Sequence, residues 1–98
     1  MTKHVILWTL KEEIKDKDAV KSAAKEALEA LVGKIDGLVA LTVNIDPLAT
    51  SNVDMMLDST FDSPEALANY AKHPLHVAAA DNYVCPYTAT RACMDYEI

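Results

Sequence analysis

The chain has no basic patch, no Cys-x-x-Cys pair, no long apolar run and no internal repeat, and each absence removes a class of function. No apolar stretch reaches the ~18 residues that a helix needs to cross a bilayer. Residues 1–4 lead straight into a strand-like segment without a signal-peptide pattern, so the chain is expected to be soluble and cytoplasmic. The formal net charge is −6, and the lysines between Lys11 and Lys34 are interleaved with Glu and Asp as on a solvated helix face. An acidic surface of this kind repels nucleic acid and anionic membranes, so neither is an expected partner. Cys85 and Cys93 are the only cysteines. If both lie on one C-terminal strand, they stand roughly 26 Å apart at ~3.3 Å per residue. That is beyond disulfide reach, and free thiols in a reducing compartment are expected. No basic residue beside Cys85 marks it as an activated nucleophile.

About half of the residues are apolar, at 51%, which is enough for a globular core, and 98 residues leave room for one. Residues 1–98 are therefore read as a single domain. Residues 2–10 read as a strand. Residues 16–32 read as a helix, with Val20, Ala24, Ala27, Leu28 and Leu31 at helical spacing. Asp16 or Asp18 can cap its start, and Gly33 stands where a left-handed C-terminal cap belongs. Residues 38–45 and 53–61 read as two further strands, 64–72 as a second helix with a short helical piece after Pro74, and 87–96 as the last strand. The order βαββαβ defines an α+β, ferredoxin-like arrangement.

The strands carry a second message. Val39, Leu41, Val43 and Ile45 form one apolar face for the helices to cover. The first strand is apolar on both faces, with Val5 and Leu7 on one and Ile6, Trp8 and Leu10 on the other. Met55 and Leu57 share a face of the third strand while Met56 takes the opposite one. Two helices cover one side of a four-stranded sheet, so the second apolar face needs another layer. A second copy packing sheet to sheet supplies it, which predicts a homodimer. His4, on the side of Ile6 and Trp8, is then expected to look into the space between the two sheets. Arg91 and Asp58 are expected to form a structural charge pair across strands. Asp95-Tyr96 is expected to end the last strand at the surface or against the partner.

The richest stretch runs from Phe61 to Val77. Asp62 or Ser63 can cap the second helix and Pro64 suits its first turn. His73 precedes Pro74 and is pushed out of the α region, so the helix stops or kinks there. The corner brings Tyr70, His73 and His76 into one neighbourhood. A Tyr hydroxyl near a His orients the ring or shares its proton, which is what a general base needs. The bland alternatives are a helix cap for His73, a structural hydrogen bond for His76, a core aromatic for Tyr70 and a solvent-facing strand end for His4. A metal site on His73-x-x-His76 lacks ligands, because Pro74 breaks the helical spacing and no carboxylate follows before Asp81. No metal and no cofactor are expected.

Four segments together resemble the stress-responsive dimeric α/β-barrel (Dabb) family: Lys3–Trp8, Ile35–Leu38, Phe61–Val77, and Arg91 followed by Asp95-Tyr96. The resemblance covers nearly the whole chain and implies two ferredoxin-like subunits closing a barrel. A polyketide cyclase of that family closes its substrate by an intramolecular aldol step with a His–Tyr pair from the same motif. Carried over, the base falls on His76, its partner on Tyr70, and a first-strand histidine on His4. This chain has Met55 where that cyclase has a third-strand histidine. The expected site is therefore His76 and Tyr70 for proton abstraction, with His4, Ile6, Trp8, Met55 and His73 lining a mostly apolar cavity for a small carbonyl compound. The alternatives are a non-catalytic binder of apolar molecules, a stress-protective structural protein, and a cofactor-free monooxygenase.

Overall fold

The computed structural model describes all 98 residues. The elements are β1 (Thr2–Leu10), α1 (Lys17–Glu29), β2 (Leu38–Asn44), β3 (Met55–Phe61), α2 (Pro64–Lys72), α3 (Pro74–Tyr83) and β4 (Thr88–Glu97). The four strands form one antiparallel sheet in the order β2-β3-β1-β4, with β1 and β3 central. This is the ferredoxin-like arrangement, with the corner at Pro74 opening a full ten-residue helix rather than a short piece.

Local chemistry sets the element ends. The Asp16 side chain accepts from the Ala19 amide at 3.0 Å and caps α1. Regular α1 geometry stops at Glu29, earlier than the apolar spacing predicts, and turns with i to i+3 bonds carry the chain through Leu31, Val32 and Lys34. Gly33, at φ +86°, is the left-handed residue inside those turns rather than the helix cap itself. Ser63 accepts from the Ala66 amide at 3.1 Å and Pro64 opens α2.

One face of the sheet carries the core. Ile6, Trp8 and Leu10 of β1, Met55, Leu57 and Phe61 of β3, and Leu38, Leu41 and Val43 of β2 meet Ala24, Leu28 and Tyr70 from the helices. Full burial of a side chain of Leu or Phe size contributes about 1.5–3 kcal/mol. The register of β2 shifts between Leu38 and Ala40, leaving Val39 as an extra, exposed residue. Leu38 thus replaces Val39 on the buried face, which corrects the simple alternation expected from the sequence.

Strand parity corrects a second expectation. His4, Ile6 and Trp8 are buried beneath the helices of their own subunit and do not face a second sheet. Val5 and Leu7 lie on the opposite face, partly buried, with Met94 and Tyr96 of β4 exposed. That open face also holds the Lys3–Asp58 ion pair at 2.5 Å, with Lys3 donating to Thr60 at 3.1 Å. Asp58 is therefore not the partner of Arg91, which stands opposite Trp8 on the helix face. No helix is long and apolar enough to cross a membrane.

Candidate functional site

A cavity of about 700 Å³ lies between the helix face of the β1–β4 half of the sheet and the α2–α3 corner. It exists because α1 and α2 pack over β1, β2 and β3 and leave β4 without a covering helix. Its inner walls are apolar and include Ile6, Trp8, Leu57, Leu67 and Val84. The polar groups are few: His4, Tyr70, His76, Cys85, Thr88, Arg91, Cys93 and Asp95. Every residue of β4 from Ala89 onward is exposed, so the cavity opens along that strand.

Tyr70 and His76 meet at the corner. Their ring centroids are 4.2 Å apart with planes inclined by 36°. The contact is a stack, and no hydrogen bond joins the two side chains. Instead, His76 Nδ1 lies 3.3 Å from the carbonyl oxygen of Ala71. A carbonyl only accepts, so Nδ1 carries the proton and Nε2 is the bare nitrogen of the neutral ring. Burial holds the His76 pKa below its ordinary value; Arg91 and His4 add to the lowering, and the Ala71 bond opposes it. Tyr70 is 1% exposed, and burial pushes its phenol up to about 12. Its hydroxyl stays a neutral donor, uses no protein partner and is not sealed from the cavity it lines.

A chain of rings leads inward from this pair. Phe61 packs edge-on against Tyr70 at 4.9 Å, and His4 stands 6.4 Å from Tyr70. The Asp95 carboxylate contacts His4 Nδ1 across the β1–β4 register, and Cys93 Sγ lies 3.6 Å from the same nitrogen. Burial and the neighbouring Asp95 carboxylate raise the Cys93 thiol, which keeps it protonated and disfavours a nucleophilic or metal-bound thiolate. His4, Cys93 and Asp95 place their donor atoms within 4.8 Å of one another and are the only such cluster in the chain.

The structure thus gathers His76, Tyr70, His4, Ile6 and Trp8 from the expected set and leaves two out. His73 Nδ1 accepts from the Leu75 amide at 3.1 Å and caps the N-terminus of α3. It neither lines the cavity nor joins His76 as a metal pair. A capping role was the bland alternative, but the ring serves the start of α3 as an acceptor rather than the end of α2 as a cation. Met55 is 1% exposed in the core opposite Trp8, and borders a different recess with Leu7 and Met56. Cys85 lies before β4 in the turn after α3, and both thiols are free.

Arg91, Cys93 and Asp95 are charged or polar cavity residues that sequence reasoning missed. Their i, i+2, i+4 spacing puts them on one strand face, a signal visible in the sequence. Only the pairing with β1 shows that this face looks into the cavity, opposite Trp8, Ile6 and His4.

The sequence profile of the stress responsive A/B barrel domain matches residues 2–98. No curated protein sequence matches the chain. Among solved structures, a dimeric protein of unknown function and ferredoxin-like fold from Bacteroides fragilis is 33% identical, with a TM-score of 0.91 over 99% of this chain and 95% of that one. A protein of Arabidopsis thaliana is 25% identical, with a TM-score of 0.82 over 100% of this chain and 95% of that one. A hydroxynitrile lyase from Passiflora edulis shares the fold at 15% identity and a TM-score of 0.80, covering 99% of this chain and 92% of that one.

Proposed function

The chain belongs to the stress responsive A/B barrel domain (Dabb) family, and from that premise we propose that it is a cofactor-free enzyme acting on an apolar carbonyl compound. The reaction class is proton abstraction next to the carbonyl, as in a cyclase or isomerase. His76 Nε2 takes the proton from carbon and becomes part of an imidazolium. The electron pair left behind delocalises onto the carbonyl oxygen as an enolate, which the Tyr70 hydroxyl stabilises by donating a hydrogen bond. The enolate carbon then adds to a second carbonyl of the same molecule, whose oxygen takes the proton from the His76 imidazolium, or a conjugated enolate is reprotonated by that imidazolium at another carbon. His4, oriented by Asp95, borders the same space, while Ile6 and Trp8 supply its apolar wall.

The observation that carries this reading is the fixed tautomer of His76. Its Nδ1–H is spent on Ala71, its pKa is lowered, and its ring lines a cavity beside a neutral phenol. A neutral ring with a bare nitrogen at the substrate space is what a base at pH 7 needs. The hydroxynitrile lyase shares only the fold, so its activity adds no weight.

The test is proton exchange at carbon. The protein is incubated in D2O with a panel of apolar ketones and keto acids, and loss of the α-proton signal is followed by NMR. Exchange in the wild type that disappears in His76→Ala and weakens in Tyr70→Phe supports the proposal. Binding without exchange across the panel would leave the 700 Å³ cavity as that of a carrier, the second reading its volume supports. A rigid structural protein would instead have its cavity filled by Trp8 and the methionines, and Met55 and Met56 border another recess.

The assembly we infer is a homodimer through the open face of the sheet. The partly buried Val5 and Leu7 and the exposed Met94 and Tyr96 need a cover, and the Bacteroides fragilis relative is dimeric. Two free thiols fit a reducing compartment such as the cytoplasm.

A further inference from the structure

Arg91 is the only arginine in a chain of net charge −6, and it lines the cavity. No other Lys or Arg borders that space. Its guanidinium takes part in none of the ion pairs of the structure, which join Met1, Lys3, His4 and Lys25 to their carboxylates. Its side chain stands beside Cys93, whose Sγ also lies 3.5 Å from the Asp95 carboxylate, but no ion pair joins Arg91 to Asp95. That carboxylate is engaged by His4. A cation at the rim of an apolar cavity that joins no protein carboxylate in an ion pair is therefore left for a ligand.

Resting on the enzyme reading above, we propose that the substrate is an apolar monocarboxylate whose acid group is held by Arg91 at the β4 mouth of the cavity. The planar guanidinium offers a two-pronged donor that matches a carboxylate. A phosphate dianion would call for more than one cation, and the cavity supplies one. The location also fits an amphiphile. Arg91 is exposed, so the acid stays at the water boundary and avoids the cost of burying a charge, while the chain lies inward along Ile6 and Trp8. The cation also acts on His76, so an acid held there sets the rest of the molecule beside the base. Arg91 is on this account a specificity-determining residue.

The experiment measures binding of octanoate, octanol and octyl phosphate by calorimetry to the wild type, Arg91→Gln, Arg91→Lys and His76→Ala. The expected result is octanoate bound roughly ten-fold tighter than octanol, a preference lost in Arg91→Gln, partly kept in Arg91→Lys, and weakened by salt. Equal binding of octanoate and octanol, or a preference that survives Arg91→Gln, would overturn the proposal. Tighter binding of octyl phosphate than octanoate would overturn the carboxylate class. Arg91 is exposed, so its variants are expected to fold. No turnover enters the readout, and His76→Ala is expected to keep the preference, so the recognition can stand even where the proton-exchange test fails.

Discussion

The ring of Tyr70 lies against the ring of His76, with centroids 4.2 Å apart and planes inclined by 36°. The two side chains are packed together rather than hydrogen-bonded, and the histidine is oriented by the backbone oxygen of Ala71. Burial, not the phenol, is the main cause of the lowered His76 pKa. In an NMR titration, His76 of the wild type is expected below its ordinary value of 6.5. Tyr70→Phe keeps the stacked ring and should leave that titration nearly in place. A large upward move in Tyr70→Phe would mean that the hydroxyl, not the packing, controls the base.

The phenol itself gives a second readout. Burial sets Tyr70 at about 12, so its phenolate should appear late in an ultraviolet pH titration and be absent in Tyr70→Phe. The hydroxyl has no protein partner, so Tyr70→Phe should cost less than ~1 kcal/mol of stability by denaturant unfolding. Tyr70→Ala removes a ring packed on Phe61 and His76 and should cost about 3–5 kcal/mol. The first variant therefore tests chemistry and the second tests the core.

His76 also links stability to pH. Its pKa is lowered by folding, so the unfolded chain takes up this proton more readily than the folded one. Above pH 6.5 both states are neutral there and the full stability is present. As pH falls from 6.5 toward the lowered folded value, stability is progressively lost. Melting temperatures measured from pH 7.5 to 5 should fall less steeply for His76→Gln than for the wild type. Equal slopes would show that burial does not penalise the imidazolium.

Part of this site is legible in the amino-acid sequence, because its signals are local. Ser63, Pro64 and the His73-Pro74 pair fix the start and end of α2 through backbone rules that need no tertiary context, and they deliver Tyr70 and His76 to one corner. Long-range placement is not legible there. The extra residue at Val39 leaves no mark in an otherwise alternating strand. The two-sided apolar pattern of β1 shows that both faces are used but not which one the helices take, so His4, Ile6 and Trp8 are read onto the wrong side. Asp95 looks like a surface strand end until its register with His4 is known. Met55 shows the limit of carrying a residue over by position alone, since the strand buries it in the core away from the cavity.

Two glycines with nearly equal backbones separate strain from crowding. Gly33 has φ +86° and Gly37 has φ +84°. A Cβ on Gly33 would meet nothing within 4 Å, whereas one on Gly37 would lie 2.5 Å from the Cβ of Ala66 in α2. Gly33→Ala should therefore cost only the left-handed penalty, about 1–2 kcal/mol. Gly37→Ala adds overpacking of about 1–3 kcal/mol, because the Ala66 Cβ it meets is fixed to the α2 backbone and has no rotamer to turn away. Because Ala66 shares α2 with Tyr70, Gly37→Ala should also shift the Tyr70 and His76 NMR signals while Gly33→Ala leaves them unchanged. Equal unfolding free energies for the two variants would show that α2 is free to move away from the sheet.

The remaining edge of the sheet is held by one carboxylate. Glu29 at the end of α1 accepts from the Val43 amide at 2.9 Å and from Lys25 at 2.7 Å, and Lys25 in turn donates to the Val43 carbonyl at 2.8 Å. Both outward groups of Val43 on edge strand β2 are thus satisfied by the helix, which fastens α1 over the core and covers the sheet edge at that residue. Partial burial pushes the Glu29 pKa up, but the bonds from Lys25 and Val43 outweigh it and hold it below 4.5. The stability this contributes is present above pH 4.5 and lost as pH falls through the lowered folded value. Glu29→Ala should cost about 1 kcal/mol, since the group is partly solvated. Hydrogen exchange of the Val43 amide should become faster than in the wild type, while amides of central β1 keep their protection. Unchanged Val43 exchange would mean that β3 pairing alone secures the edge and that the carboxylate is an ornament of the helix end.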